Sequence, residues 1–131
     1  MSEENLALVR AVYEAFNRRD WDSVFSLAVP EFEFTLKRGP EAGTHRGSEA
    51  VRRVLEDQAA AFDLWILEPE QFFERDDVVV AFVKFRLRPK ESSAEFEIRI
   101  GNLWTIRDGK LLSLEGFPER EEALEAAGLS E

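Results

Sequence analysis

Cysteine is absent from this chain of 131 residues, and histidine occurs only once. Without cysteine, the protein can form neither a disulfide nor a thiolate nucleophile. With no cysteine and a single histidine, the chain also cannot form the Cys and His clusters that bind zinc, haem and iron–sulfur groups. The kind of metal site that remains possible is an all-oxygen site for a hard cation. We therefore predict a protein without a bound metal and without a cofactor.

Positive charge and long apolar runs are also scarce. Asp and Glu number 27 against 17 Lys and Arg, and a chain of formal charge −10 is repelled by phosphate backbones and anionic lipids. The longest apolar run, VVVAFV at residues 78 to 83, is far shorter than the ~20 residues of a membrane span. MSEENL at the N-terminus has neither a basic start nor an apolar signal core. The sequence predicts a cytoplasmic protein that binds neither nucleic acid nor a membrane.

Phenylalanine, by contrast, is abundant, with 11 Phe beside 3 Trp. So many rings in a small domain favour a core with aromatic walls, although ordinary packing accounts for them as well. The length fits one domain of ordinary size, and no repeat, linker or low-complexity tract divides the chain. We therefore predict a single domain over residues 1–131.

The N-terminal half predicts three helices. Ser2 can cap the first, which runs to Arg18 and Arg19; Asp20 can cap a short second helix, WDSVFSLA, and Ser48 can cap a third. In the first and third helices, apolar residues recur at helical spacing: Leu6, Val9, Val12, Tyr13 and Phe16, then Val51, Val54, Leu55, Ala59 and Phe62. Each helix therefore has one face to bury.

Alternation with period two predicts a strand at residues 31 to 37. Phe32 and Phe34 lie on one face of it, and Glu33 and Thr35 lie on the other. Either face can line a pocket, and the sequence leaves this choice open.

The remaining pattern completes an α+β fold. RGPEAGTHRG, at residues 38 to 47, predicts a loop because it holds three Gly and a Pro. Four strands follow in a meander from residue 64, and Pro69 interrupts the first of them, which indicates a bulge or a sheet edge. A short helix at residues 119 to 127 closes the chain. We predict a mostly antiparallel, curved sheet with the helices on one face.

One amide interrupts an apolar row in the strand predicted at residues 94 to 107. Asn102 occupies an inward position of this strand, where a carboxamide without partners costs about 1–3 kcal/mol. It must therefore meet other protein groups, water or a ligand, and we predict that it points into a pocket. The apolar members of the row are Ile98, Ile100, Trp104 and Ile106.

Three stretches, AVYEAFNRRDWDSVFSLAVPEFEF, THRGSEAVRRVLED and NLWTIRDGKLLSLEGFPEREEALEAAGL, together resemble a known family. In order and spacing they are similar to the SnoaL-like (polyketide cyclase) branch of the nuclear-transport-factor-two-like superfamily, which includes ketosteroid isomerase. The resemblance implies a cone-shaped α+β barrel, in which a curved sheet and helices enclose a pocket for a small, largely apolar molecule. It also implies a homodimer formed through the outer sheet face.

The same resemblance assigns roles to individual positions. Asn102 matches the strand position where ketosteroid isomerases carry the acid of the oxyanion hole, so its amide would donate to a ligand carbonyl. The isomerase's general base falls on Thr35 and its tyrosine donor on Val12. Because two of the three groups are missing, we do not expect steroid isomerisation by that mechanism.

Two further residues are candidates for proton transfer. His45, the only imidazole, can act as an acid or base near neutral pH, although a lone loop histidine is more often exposed or locally bonded. Glu33 is a base of raised pKa if its strand face lines the pocket, and a plain surface charge if that face meets solvent. The expected catalytic residues are therefore His45, Asn102 and Glu33.

The sequence supports two main functions. The first is a pocket protein that holds a largely apolar, ring-shaped ligand, with Tyr13, Thr35, Trp65, Ile100, Asn102 and Trp104 as contacts. The second is a cofactor-independent isomerase, cyclase or hydrolase that acts on a small apolar carbonyl or epoxide compound. A scaffold that binds another chain through its outer sheet face is a third possibility.

Overall fold

The computed structural model describes residues 2–39 and 41–129. They form four helices and six strands, and the predicted α+β class is confirmed. In chain order the elements are α1 (Ser2–Asn17), α2 (Trp21–Ser26), β1 (Ala28–Leu36), β2 (Gly43–Arg46), α3 (Ser48–Ala60), β3 (Phe62–Arg75), β4 (Val78–Pro89), β5 (Phe96–Arg107), β6 (Lys110–Phe117) and α4 (Arg120–Ala126).

The six strands form one curved sheet that does not close, in the order β2-β1-β6-β5-β4-β3. Strands β3 to β6 are the predicted antiparallel meander, and β1 joins its far side by pairing with β6 in parallel. The predicted loop at residues 38 to 47 is wrong in part, because it contains β2. This short strand pairs antiparallel with β1, with His45 opposite Phe34.

Pro69 lies at a register shift between β3 and β4, and β3 is an edge strand. Both predicted consequences of this proline are therefore present. Since proline has no backbone N–H to donate, a bulge on an edge strand accommodates it without breaking the ladder inside the sheet.

The helices agree closely with the pattern. Asp20 caps α2 by accepting a hydrogen bond from the Ser23 backbone N–H at 3.2 Å. The α2 helix ends two residues early because β1 already begins at Ala28, and α3 ends at Ala60, which leaves Phe62 to open β3. The predicted cap of α1 rests on the Ser2 side chain, which lies outside the described residues.

Asn17, at the end of α1, fastens this helix to the sheet. Its side-chain amide donates to the Leu67 carbonyl and accepts from the Leu67 N–H, both at 2.9 Å. On an edge strand these two backbone groups face away from β4, so the amide takes the place of a neighbouring strand. The first half of β3 is thereby held against α1.

The two faces of the sheet carry different helices. The inner face, which carries Ala81 and Trp104, packs in one core with α1, α2 and α3. The outer face, which carries Val80 and Leu103, packs against α4 through Ala123. The prediction that the helices share one face therefore holds for three of the four helices, and α4 is the exception.

Gly101 on β5 makes the contact with α4 possible. A Cβ atom at this position would lie 2.8 Å from the Cβ of Ala123, closer than real carbon atoms approach. Glycine here and alanine on the helix together let α4 lie directly on the outer face. Among the described residues, no helix is long and apolar enough to cross a membrane.

Candidate functional site

A cavity of about 620 Å³ lies between the inner face of the sheet and the helices. Its volume falls within the range of small-molecule pockets, and most of its lining is apolar. Aromatic rings supply much of the wall, including Tyr13, Phe16, Phe32, Phe34, Trp65 and Trp104. The sequence pattern explains these positions, because each ring belongs to a buried helical stripe or to an inward strand face.

The polar centre of the cavity is a cluster of three side chains, which we call the Tyr13 cluster. The Asn102 amide donates to the Tyr13 hydroxyl oxygen at 2.8 Å, and the Trp104 indole N–H donates to the same oxygen at 2.9 Å. The rings of Tyr13 and Trp104 meet edge to face with centroids 5.7 Å apart. All three side chains line the cavity, and the three residues are only 3 to 5% exposed.

Two accepted hydrogen bonds fill the acceptor capacity of the Tyr13 oxygen. Its own O–H hydrogen has no acceptor among the residues that the structure describes. Two donors on one phenol oxygen draw electron density from it and polarise the remaining O–H. The cluster can therefore donate one strong hydrogen bond to an acceptor atom in the cavity.

Burial raises the pKa of Tyr13 well above its ordinary value near 10, and this effect outweighs the lowering by the hydrogen bonds from Asn102 and Trp104. The phenol is therefore neutral at physiological pH. It can donate a hydrogen bond, but it does not act as a base.

Among the described residues, charged side chains reach the cavity at one place. Lys37 and Arg38, which follow β1, line it, whereas no Asp, Glu or His side chain does among the described residues. The described part of the chain also holds no group of three or more His, Asp or Glu side chains that could bind a metal. The described walls therefore supply a neutral hydrogen-bond donor at Tyr13 and two cationic side chains at the edge.

Five of the residues predicted to contact a ligand line the cavity, namely Tyr13, Trp65, Ile100, Asn102 and Trp104. The hydroxyl that meets Asn102 comes from Tyr13, one position after Val12, to which the family resemblance assigned it.

Glu33, Thr35 and His45 are not among the lining residues. Phe32 and Phe34 form the cavity side of β1, which resolves the choice that the sequence left open. Glu33 pairs instead with Arg46 at 3.4 Å, and the Thr35 hydroxyl lies 2.8 Å from that of Thr44.

The ring of His45 lies on β2, where Nε2 is 2.7 Å from the carbonyl oxygen of Glu41. This bond is local to the segment that joins β1 and β2. The side chain therefore already has a partner, and it does not line the cavity.

Sequence reasoning missed Lys37 and Arg38 as lining residues. The available signal was a pair of basic residues directly after an inward-facing strand in an acidic chain. The sequence pattern also gave no indication that the Trp65 indole N–H would be buried without a hydrogen-bond partner among the described residues. This indole packs among the rings of Phe16, Phe62 and Phe85, at centroid distances of 5.1 to 5.9 Å.

Several solved structures share this fold. TerC, co-crystallised with polyporic acid, has a TM-score of 0.81 at 24% identity, covering 93% of this chain and 96% of that one. An NTF2-like protein from Burkholderia pseudomallei has a TM-score of 0.79 at 22% identity, covering 93% and 95%. A protein of ketosteroid isomerase-like fold from Catenulispora acidiphila, in complex with trimethylamine, has a TM-score of 0.76 at 15% identity, covering 94% and 93%. At these identities, the similarity shows the fold.

No protein of curated function matches the chain. A family model described as a SnoaL-like domain matches residues 9–114, which include both the α1 wall of the cavity and the strand that carries Asn102. Most of the cavity lining, most of the sheet and most of the chain fall within this match, and the protein belongs to the SnoaL-like family.

Proposed function

We propose that this protein binds a small, largely apolar, ring-shaped molecule in its cavity, with one hydrogen-bond acceptor of the ligand directed at the Tyr13 cluster. The observation that carries the proposal is a 620 Å³ aromatic cavity in which one buried O–H has no acceptor among the described residues. Flat rings make favourable edge and face contacts with aromatic walls, and a carbonyl oxygen would accept from Tyr13. The structural similarity to TerC, which was co-crystallised with polyporic acid, supports a small organic ligand.

The test is a titration of the protein with neutral polycyclic ketones, followed by calorimetry or by quenching of the cavity tryptophans. Asn102→Ala should weaken binding about five- to tenfold, because it removes one of the two donors that polarise Tyr13. Thr105→Ala, on the same strand but outside the cavity lining, is the matched control and should leave affinity unchanged. Ketone binding that is equal in all three proteins would refute the proposed role of the cluster.

A second candidate function is catalysis without a cofactor, as an isomerase, cyclase or hydrolase of a small carbonyl or epoxide compound. The observation that favours it is the polarised Tyr13 hydroxyl, which is suited to stabilising an oxyanion. Since no carboxylate or imidazole lines the cavity within the described residues, the substrate itself or water would have to accept the proton.

Hydrogen–deuterium exchange at the carbon next to a bound ketone, followed by NMR, separates the two functions. Exchange that is faster with the protein than without it, and slower in Tyr13→Phe, would support catalysis. Binding with exchange at the uncatalysed rate would support a binding protein.

A homodimer through the outer sheet face is also part of this proposal. At the first residue of α4 and along the neighbouring strands, this face carries ion pairs between four acidic and four basic side chains, although the whole chain has a formal charge of −10. The pairs join Glu68, Glu70, Glu95 and Glu97 to Lys84, Arg86, Arg99 and Arg120. A balanced face can meet its own copy without the repulsion that acidic surfaces would cause. A monomeric mass by light scattering at micromolar concentration would refute the dimer.

We also propose that the protein is located in the cytoplasm.

A further inference from the structure

The charged side chains that line the cavity are both cationic. Lys37 and Arg38 directly follow β1, and within the described lining they are the only charged residues. This is unexpected in a chain with 27 acidic residues against 17 basic ones. The cavity therefore combines an apolar interior with an edge that carries two basic residues, beside which Glu122 and Glu125 line an adjoining hollow.

The two cations differ in the contacts that they already make. Lys37 Nζ lies 3.1 Å from the carboxylate of Glu115 and 5.1 Å from the centre of the Phe117 ring, so its charge is balanced within the protein. The exposed Arg38 side chain makes no hydrogen bond or ion pair with any described residue. Its five N–H donors are therefore available to a group at the edge of the cavity.

The strand register sets the distance between this edge and the Tyr13 cluster. Leu36 pairs with Gly116, and Gly116 pairs with Asn102, so one row crosses β1, β6 and β5. Because neighbouring strands lie about 4.8 Å apart, Leu36 is roughly 10 Å from Asn102 along this row. Arg38 follows Leu36 by two residues. A flat molecule of a few fused rings is long enough to span the cavity between the two sites.

We infer that the ligand of this cavity carries a carboxylate on the end opposite its hydrogen-bond acceptor, and that Arg38 binds this carboxylate at the cavity edge. The inference rests on the proposed function, because it requires a ring-shaped ligand with its acceptor at Tyr13. The planar guanidinium fork of Arg38 matches the two oxygens of a carboxylate, whereas Lys37 keeps Glu115 as its partner. The ligand class is thus a flat, largely apolar monocarboxylic acid.

Three related probes test this assignment on the full chain by calorimetric titration. They are fluorenone, a fluorenone carboxylic acid whose acid group is remote from the ketone, and the methyl ester of that acid. All three share the ring system and the ketone, and only the acid is charged. We expect the wild-type protein to bind the acid about tenfold more tightly than the ester, because a charge-assisted, bidentate hydrogen bond forms only with the acid.

Arg38→Gln should remove this preference for the acid and leave the affinity for the ester unchanged. Arg107→Gln is the matched control, since Arg107 is also exposed, has no ion-pair partner among the described residues and does not line the cavity. It should keep the full preference. Retention in this control would show that the effect depends on position and not on the net charge of the chain.

The outcomes separate this inference from the proposed function. Equal affinity of the wild type for acid and ester, a preference that survives Arg38→Gln, or its loss in Arg107→Gln would each overturn the inference while the cavity function stands. Failure of all three probes, uncharged fluorenone included, would overturn the proposed function and this inference together.

Discussion

Replacing Tyr13 by phenylalanine should destabilise the protein more than the loss of one hydroxyl suggests, because two donors share that oxygen. The substitution leaves the Asn102 amide N–H and the Trp104 indole N–H without their acceptor. Both residues are nearly buried, at 5% and 4% exposure. A buried donor without a partner costs about 1–3 kcal/mol, and Asn102 borders a cavity that water can enter, so we expect a total loss of about 2–4 kcal/mol.

Asn102→Ala provides the contrast, because it removes one of the two donors and leaves the Tyr13 oxygen bonded to Trp104. Its cost should be about 1 kcal/mol, the net value of one hydrogen bond. In the double variant only the Trp104 indole N–H is left without an acceptor. The loss of unfolding free energy in the double variant should therefore be about 1–2 kcal/mol smaller than the sum of the losses in the two single variants.

Urea titrations of the four proteins measure these free energies, and unchanged slopes would show that the unfolded states are comparable. A loss below about 1 kcal/mol for Tyr13→Phe, or strict additivity in the double variant, would refute the shared-acceptor reasoning, because the donors would then have found other partners.

Three other features allow direct tests. Tyr13 is the only tyrosine in the chain, so an alkaline titration of tyrosinate absorbance reports on this residue alone. Because the pKa of Tyr13 is raised in the folded state, its contribution to stability should be complete below about pH 10 and should be lost as the pH rises further. Tyrosinate should therefore appear only as the protein unfolds. Asn17→Ala should cost about 1–2 kcal/mol in a urea titration, because two hydrogen bonds to the backbone of β3 are lost, whereas an unchanged midpoint would show that water replaces them. Gly101→Ala should cost about 1–3 kcal/mol because its Cβ collides with Ala123, and Gly116→Ala, whose Cβ meets only ordinary contacts at 3.7 Å or more, should cost much less; equal losses would contradict this argument.

Local patterns were sufficient to predict the meander, the Asp20 cap and the inward position of Asn102. In each case the determining information lies within a few residues, such as alternation with period two or a capping side chain before an apolar stripe. The strand β2 has no such pattern. GTHR becomes a strand because β1 offers it an open edge, which is a tertiary effect.

The site was less predictable than the fold, because its central contact joins residues 89 positions apart. Alternation showed that Asn102 points inward, but nothing local to it specifies that a phenol from α1 meets it. The face of β1 that lines the cavity was open for the same reason, since Glu33 and Phe34 are equally regular in the pattern and only packing distinguishes them. The placement of α4 on the outer face likewise depends on how closely Gly101 allows it to approach.

The parallel pairing of β1 with β6 has a consequence for the order of folding. Strands β3 to β6 can pair with one another through short turns. Strand β1 can join the sheet only after β6 has formed, since Phe34 pairs with Leu114, which is far away in sequence. Long loops close slowly relative to hairpins, so we expect the Phe32 and Phe34 wall to be added late, onto a sheet that is already formed. The cavity would then be completed only after β6 (Lys110–Phe117) has been synthesised. A ligand could stabilise the finished protein but could not guide its early folding.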